Sequence, residues 1–133
     1  MVNHVLAVPA AKSDIALAHF KAQLEFETDC WDTHATLQRS DVGFVLLDVR
    51  SISDYKKGHI KGAIHLPHGK IVASKLTSWL PDTVFITYCA GPHCNGATKA
   101  AIRLSQLERP VKVMVGGIIG WRDEGLPLVC LTE

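Results

Sequence analysis

Long hydrophobic runs are missing from this chain. No stretch approaches the roughly 20 apolar residues that a bilayer-crossing helix needs, so no membrane partner is expected. Charge of one sign is missing too: Lys and Arg number 14 against 13 Asp and Glu, a formal charge of +1, and the basic residues are scattered. No broad basic face is available for a phosphate backbone, which excludes nucleic acid from the expected partners. The short apolar start MVNHVLAVPAA lacks a preceding basic segment, so a secretory leader is not expected and the expected compartment is the cytoplasm. Cysteine is scarce, 4 in 133 residues. In a reducing compartment four cysteines read as thiols rather than as a disulfide framework. No second C-x-x-C and no H-x-x-x-H completes a four-ligand set, so no metal is expected. Repeats, low-complexity tracts and linkers are also absent, and 47% apolar with 20% charged residues over this length reads as one domain, 1–133.

What is present is an alternation of strand and helix patterns. A short strand is expected in HVLAV, ended by Pro9, then a helix over 13–24 capped by Ser13, with Leu17, Phe20 and Leu24 on one face. This additional N-terminal helix has two readings, packing on the domain or a dimer contact. A second helix is expected over 31–39. GFVLLDVR is a nearly continuous apolar run, the pattern of a central strand covered on both faces. SISDYKKGH reads as a short helix closed by Gly58, and GAIHLP as a short strand stopped by Pro67. GKIVASKLTSWL spaces Ile71, Lys75 and Trp79 helically, so a helix is expected there. TVFITYC is a second buried strand, NGATKAAIRLSQL a helix with Ala97, Ala100, Ala101, Leu104 and Leu107 on one face, VKVMVGG a third strand, and GWRDEGLP a last helical turn. This order predicts an α/β fold, a parallel sheet with helices on both faces.

The chemistry concentrates in TYCAGPHCNGATKAA, residues 87–101. Ligands of open α/β sheets gather beyond the carboxyl ends of the strands, which is where Cys89 stands. Ala90, Gly91 and Pro92 follow with little bulk, then His93, Cys94, Asn95 and Gly96 lead into a helix. Backbone N–H groups of such a turn, with the positive end of the helix, bind anions and stabilise a thiolate. Cysteines so placed titrate between about 3.5 and 7.5 instead of near 8.5, and the thiolate is the nucleophile. Cys89 is therefore expected to react, whereas Cys30 and Cys130, in apolar or aromatic surroundings away from the loop, are expected to fill space. Two readings of Cys94 stand side by side: a resolving thiol that pairs with an oxidised Cys89, and an ordinary small residue. His93 is either an aid to anion binding or a solvated side chain, and His65 and His68 read as polar edge.

With these residues assembled, the chain resembles the rhodanese-like sulfurtransferase family. VLLDVRSISDYKKGHIKGAIHLP resembles the family's N-side signature, YCAGPHCNGATKAAIRL its active-site loop and helix, and VMVGGIIGWRDEGLPL its C-side signature. The resemblance implies a central five-stranded parallel sheet with helices on both faces. It implies that Cys89 accepts a sulfane sulfur from thiosulfate, a polysulfide or a persulfide and passes it to cyanide, a small thiol or a thiol-bearing protein, with no metal or organic cofactor. Asp48 and Arg50 have two readings, an ion pair that braces the floor of the site and a merely structural role, of which the second is expected. His59 is expected to make a structural hydrogen bond in the turn after DYKK, and Trp121 to pack under the C-terminal segment, with an aromatic wall to the pocket as its alternative.

The loop departs from the family in one respect. Many rhodaneses resemble C-x-x-G-x-R-S there, whereas this loop is longer and carries no basic side chain at its end. Its length approaches the C-x-x-x-x-x-R of Cdc25-type phosphatases and arsenate reductases, but Asn95 stands where their arginine would. An uncharged amide cannot grip three phosphoryl oxygens as a guanidinium does, which sets phosphate-ester hydrolysis behind sulfur transfer. A bulkier or less charged sulfur donor than thiosulfate suits such a pocket.

Overall fold

A computed structural model describes residues 1–131 of the chain. It contains α1 (Ser13–Phe26), β1 (Glu27–Thr28), α2 (Cys30–Leu37), β2 (Val45–Asp48), α3 (Ile52–Lys57), β3 (Ile64–His65), β4 (Phe85–Tyr88), α4 (Gly96–Gln106), β5 (Val111–Met114) and α5 (Gly117–Asp123). The five strands form one parallel sheet in the order β1-β5-β4-β2-β3. All four residues of β4 are buried, as a strand covered on both faces requires.

Alternation along the strands sorts the core into two layers. Leu47, Val49, Phe85 and Cys89 face one side and pack with Ala97, Ala100 and Leu104 of α4. Leu46, Ile86, Tyr88 and Met114 face the other, against Ile118 and Trp121 of α5 and Cys30 of α2. Small alanines at positions 97 and 100 let α4 lie close to the sheet. The Thr87 hydroxyl donates to the Ala97 carbonyl at 3.0 Å, tying the end of β4 to the first turn of that helix.

Three sequence expectations are corrected. HVLAV is not a strand: residues 4–8 form exposed turns and bends, and the Asn3 side chain accepts from the amides of Val5 and Leu6. The edge position beside β5 is occupied by Glu27–Thr28 instead. The helix expected from GKIVASKLTSWL is replaced by two short 3-10 turns, His68–Lys70 and Ala73–Lys75. The amides here bond three residues back, Lys70 to Pro67, Lys75 to Val72, Leu76 to Ala73 and Trp79 to Leu76, and the Arg109 guanidinium anchors the end of the segment by donating to the carbonyls of Leu76, Trp79 and Leu80. The third concerns α1, which buries no residue and leaves Leu17, Phe20 and Leu24 exposed, and which Lys12 rather than Ser13 precedes as the cap position. No helix among the described residues is long and apolar enough to cross a membrane.

Cys30 is buried under the turn between β5 and α5, 3.6 Å from the carbonyl oxygens of Val115 and Gly117. Burial, then the charges of Asp29 and Glu124, pushes its thiol from 9.0 up to about 11. Because folding raises this pKa, the neutral thiol's contribution is complete below about pH 9 and disappears as pH rises toward 11. Chemical denaturation at pH 8 and pH 11 should therefore show the wild type losing about 2 kcal/mol more than Cys30→Ala over that interval. Equal losses would mean the buried thiol ionises without penalty. Cys130, expected to be buried, is exposed instead.

Candidate active site around Cys89

Cys89 follows β4 directly and ends on the α4 side of the sheet, with 7% of its surface exposed. The loop that leaves it is held by α5, whose Ile118 and Ile119 amides donate to the carbonyls of Cys89 and Ala90 at 3.1 and 2.9 Å. Across a planar trans peptide the N–H points opposite to the preceding C=O, so the amides of Ala90 and Gly91 point away from α5. Among the described residues, neither those amides nor the amides of His93 and Asn95 make a backbone hydrogen bond. Cys94 differs: its amide closes a turn on the Gly91 carbonyl at 3.1 Å.

Glycines set how closely these pieces approach. A Cβ at Gly96 would lie 2.8 Å from the Cys89 Sγ and 3.5 Å from the Cys94 Sγ. Only a residue without a side chain lets both sulfurs rest on the N-terminus of α4. Half-buried His68 comes near the same place, its Cδ2 lying 3.5 Å from that Cβ position, although it does not line the cavity beside the sulfurs. Gly116 and Gly117 take φ of +94° and +59°, and the backbone of Gly117 lies against that of Cys89, Ala90 and Gly91.

Cys89 and Cys94 are joined as a disulfide, with their Cα atoms 6.4 Å apart. Pairing was one of the two readings of Cys94, although the cysteines at large were expected to be thiols; Cys30 and Cys130 are free. Cys94 is exposed and its partner is buried. A cavity of about 220 Å³ adjoins them, lined on the loop side by Cys89, Gly91, Pro92 and Cys94 and closed by Ala97, Thr98 and residues 113–117. His93 and Asn95 are exposed and do not line it, and Asn95 makes no side-chain cap to α4. The contribution of residues 113–117 was not read from the sequence; the consecutive glycines at the end of VMVGG were the available signal.

Asp48, Arg50 and His59 lie elsewhere. Asp48 pairs in register with Tyr88, so both side chains occupy the sheet face opposite Cys89. Fully buried Asp48 receives the Arg50 guanidinium at 2.7 Å and the Tyr88 hydroxyl at 2.7 Å. Arg50 also donates to the Gly58 carbonyl at 2.6 Å. Burial opposes the charge on Arg50, yet the hydrogen bond and charge of Asp48 prevail and raise its pKa. Burial, followed by the charge of Asp48, pushes the Tyr88 hydroxyl up, so it stays a donor. His59 stacks on Tyr55 with ring centroids 3.7 Å apart, and its Nδ1 lies 2.7 Å from the Tyr55 carbonyl oxygen. Trp121 is buried and its Nε1 donates to the Pro127 carbonyl, which fastens the C-terminal segment. These residues brace the sheet beneath the site and do not line the cavity.

Residues 32–124 match the family described as the rhodanese-like domain. The sequence is 37% identical over 93 residues to the HTH-type transcriptional regulator Rv0324 of Mycobacterium tuberculosis, a match covering 69% of this chain and 41% of that protein. The chain thus spans less than half the length of that relative. The crystal structure of BH2092 protein from Bacillus halodurans superposes with a TM-score of 0.86 at 38% identity, covering 90% of this chain and 87% of the other. Thiosulfate sulfurtransferase from Pseudomonas aeruginosa is similar over 83% of this chain and 21% of its own length, with a TM-score of 0.64 and 25% identity. The five-stranded parallel sheet expected from the resemblance is the observed one, and the fold is of the sulfurtransferase type.

Proposed function

The chain belongs to the rhodanese-like family, and from that membership we propose that it is a sulfurtransferase whose Cys89 carries a sulfane sulfur between a donor and a thiol or cyanide. The observation that carries this reading is the seat of Cys89, at the end of β4, over the bare Gly96 at the N-terminus of α4 and beside a small cavity. With the disulfide reduced, the helix end favours the thiolate. The thiolate attacks the donor's outer sulfur, the donor's S–S bond breaks, and its remainder leaves with the electron pair: sulfite from thiosulfate, a shortened chain from a polysulfide. The free amides of the loop and α4 stabilise the terminal negative sulfur of the persulfide. An acceptor thiolate or cyanide then takes that sulfur and restores Cys89. With no arginine in the loop, an organic persulfide, with at most one charge on its sulfur, fits better than dianionic thiosulfate.

Turnover measured with thiosulfate and polysulfide as donors and cyanide and glutathione as acceptors tests this reading. Cys89→Ser should reduce transfer about 10³-fold or more, because the hydroxyl is not ionised at neutral pH and cannot hold the sulfur. Transfer by Cys89→Ser at the wild-type rate would remove the reading.

The Cys89–Cys94 disulfide favours a second reading, a dithiol module that cycles with the thiol poise of its compartment. Equilibration with glutathione buffers decides it: a pair that never oxidises within about −220 to −320 mV leaves that reading without support.

A further inference from the structure

We propose that Cys94 turns the Cys89 persulfide over within the loop, so that the protein releases hydrosulfide and finishes as the Cys89–Cys94 disulfide. The inference rests on the sulfurtransferase reading above and adds to it a second product and a second substrate, a dithiol reductant.

The loop puts the Cys94 Sγ in bonding contact with the Cys89 Sγ, the inner sulfur of the persulfide, with the turn from Gly91 to Cys94 and the missing side chain at Gly96 making room for both. A Cys94 thiolate attacking that inner sulfur forms the Cys89–Cys94 bond and breaks the bond to the terminal sulfur. From the protonated persulfide, that sulfur leaves with the electron pair as HS⁻. Two cysteine sulfurs are oxidised, and the sulfane sulfur takes up the two electrons. Exposed Cys94 is not used as packing, unlike Cys30, so the role of small core residue does not account for it.

Regeneration follows from the unequal exposure of the two sulfurs. An incoming thiolate reaches exposed Cys94 rather than buried Cys89, and attack there expels Cys89 as the thiolate that α4 favours. The second thiol of the reductant then completes the exchange. Over one cycle, thiosulfate and a dithiol become sulfite, hydrosulfide, one proton and the reductant's disulfide.

A single-turnover experiment tests the step. Reduced protein, freed of reductant and kept from oxygen, is treated separately with thiosulfate and with polysulfide, desalted, and followed by bimane trapping of sulfide and by intact mass. Wild type should release one hydrosulfide per chain without added thiol and end about 2 Da lighter than its dithiol form. Cys94→Ser and Cys94→Ala should instead keep about 32 Da on Cys89 until glutathione is added. Wild type that keeps its added sulfur as long as the Cys94 variants overturns the resolving role and leaves sulfur transfer standing. If no form gains sulfur from either donor, both proposals fall together.

Discussion

Asp48→Ala is expected to lower stability by about 3–5 kcal/mol, a large share of the 5–15 kcal/mol typical of a domain. The carboxylate is fully buried and accepts from the Arg50 guanidinium, the Arg50 amide and the Tyr88 hydroxyl. Only 8% of the Arg50 side chain is exposed, so removing Asp48 strands a buried cation as well as a buried hydroxyl. The lost attraction is the smaller part of the cost; the uncompensated desolvation of Arg50 is the larger. Tyr88→Phe, which removes the hydroxyl's bond to Asp48 and the bond it accepts from the buried Ile60 amide but strands no charge, should cost about 2 kcal/mol. Urea denaturation of the two variants measures the difference, and an Asp48→Ala penalty no greater than that of Tyr88→Phe would show that the pair does not brace the sheet.

Gly117→Ala is expected to remove about 3 kcal/mol or more and to abolish sulfur loading of Cys89. Its φ of +59° alone costs an alanine about 1–2 kcal/mol. The larger effect is steric: the new Cβ would lie 2.6 Å from the Cys89 carbonyl oxygen, 2.7 Å from the Gly91 nitrogen and 2.8 Å from the Ala90 carbonyl carbon. All three are backbone atoms, so no rotamer change relieves the overlap. Either the loop or the start of α5 must move, and the bonds from Ile118 and Ile119 to Cys89 and Ala90 go with it. Gly125→Ala separates the two contributions, since Gly125 has φ of +73° but nothing within 4 Å of its Cβ position. It should cost only the conformational part and leave loading unaffected. Similar penalties for both variants, read from thermal melts, would show that α5 does not hold the loop.

The parts of the fold legible in the sequence are those whose signal is local. GFVLLDVR and TVFITYC are mostly apolar because β2 and β4 are covered on both faces, and the spacing of Ala97, Ala100 and Leu104 follows from one face of α4 meeting the sheet. What the sequence does not show depends on distant partners. The carbonyls of Leu76, Trp79 and Leu80 accept from Arg109, about thirty positions later, a partner that the helical spacing of Ile71 and Trp79 does not reveal. Two-residue β1 is too short to carry a period and exists because β5 offers it an edge. In the site, Cys89 was legible from its place between strand and glycine-containing loop. Pairing with Cys89 was one of two readings of Cys94; the closeness of His68 was not legible, because it comes from the path of the chain after β3 and from the bare floor at Gly96.

The central claim is that Cys89 is the sulfur carrier. Peptide mapping by mass spectrometry, after reduced Cys94→Ser protein is loaded from polysulfide, tests it most directly. The account predicts an added mass of about 32 Da on the peptide holding Cys89, removed by cyanide and absent from the peptides holding Cys30 and Cys130. An unmodified Cys89 peptide, or added sulfur confined to exposed Cys130, would contradict it.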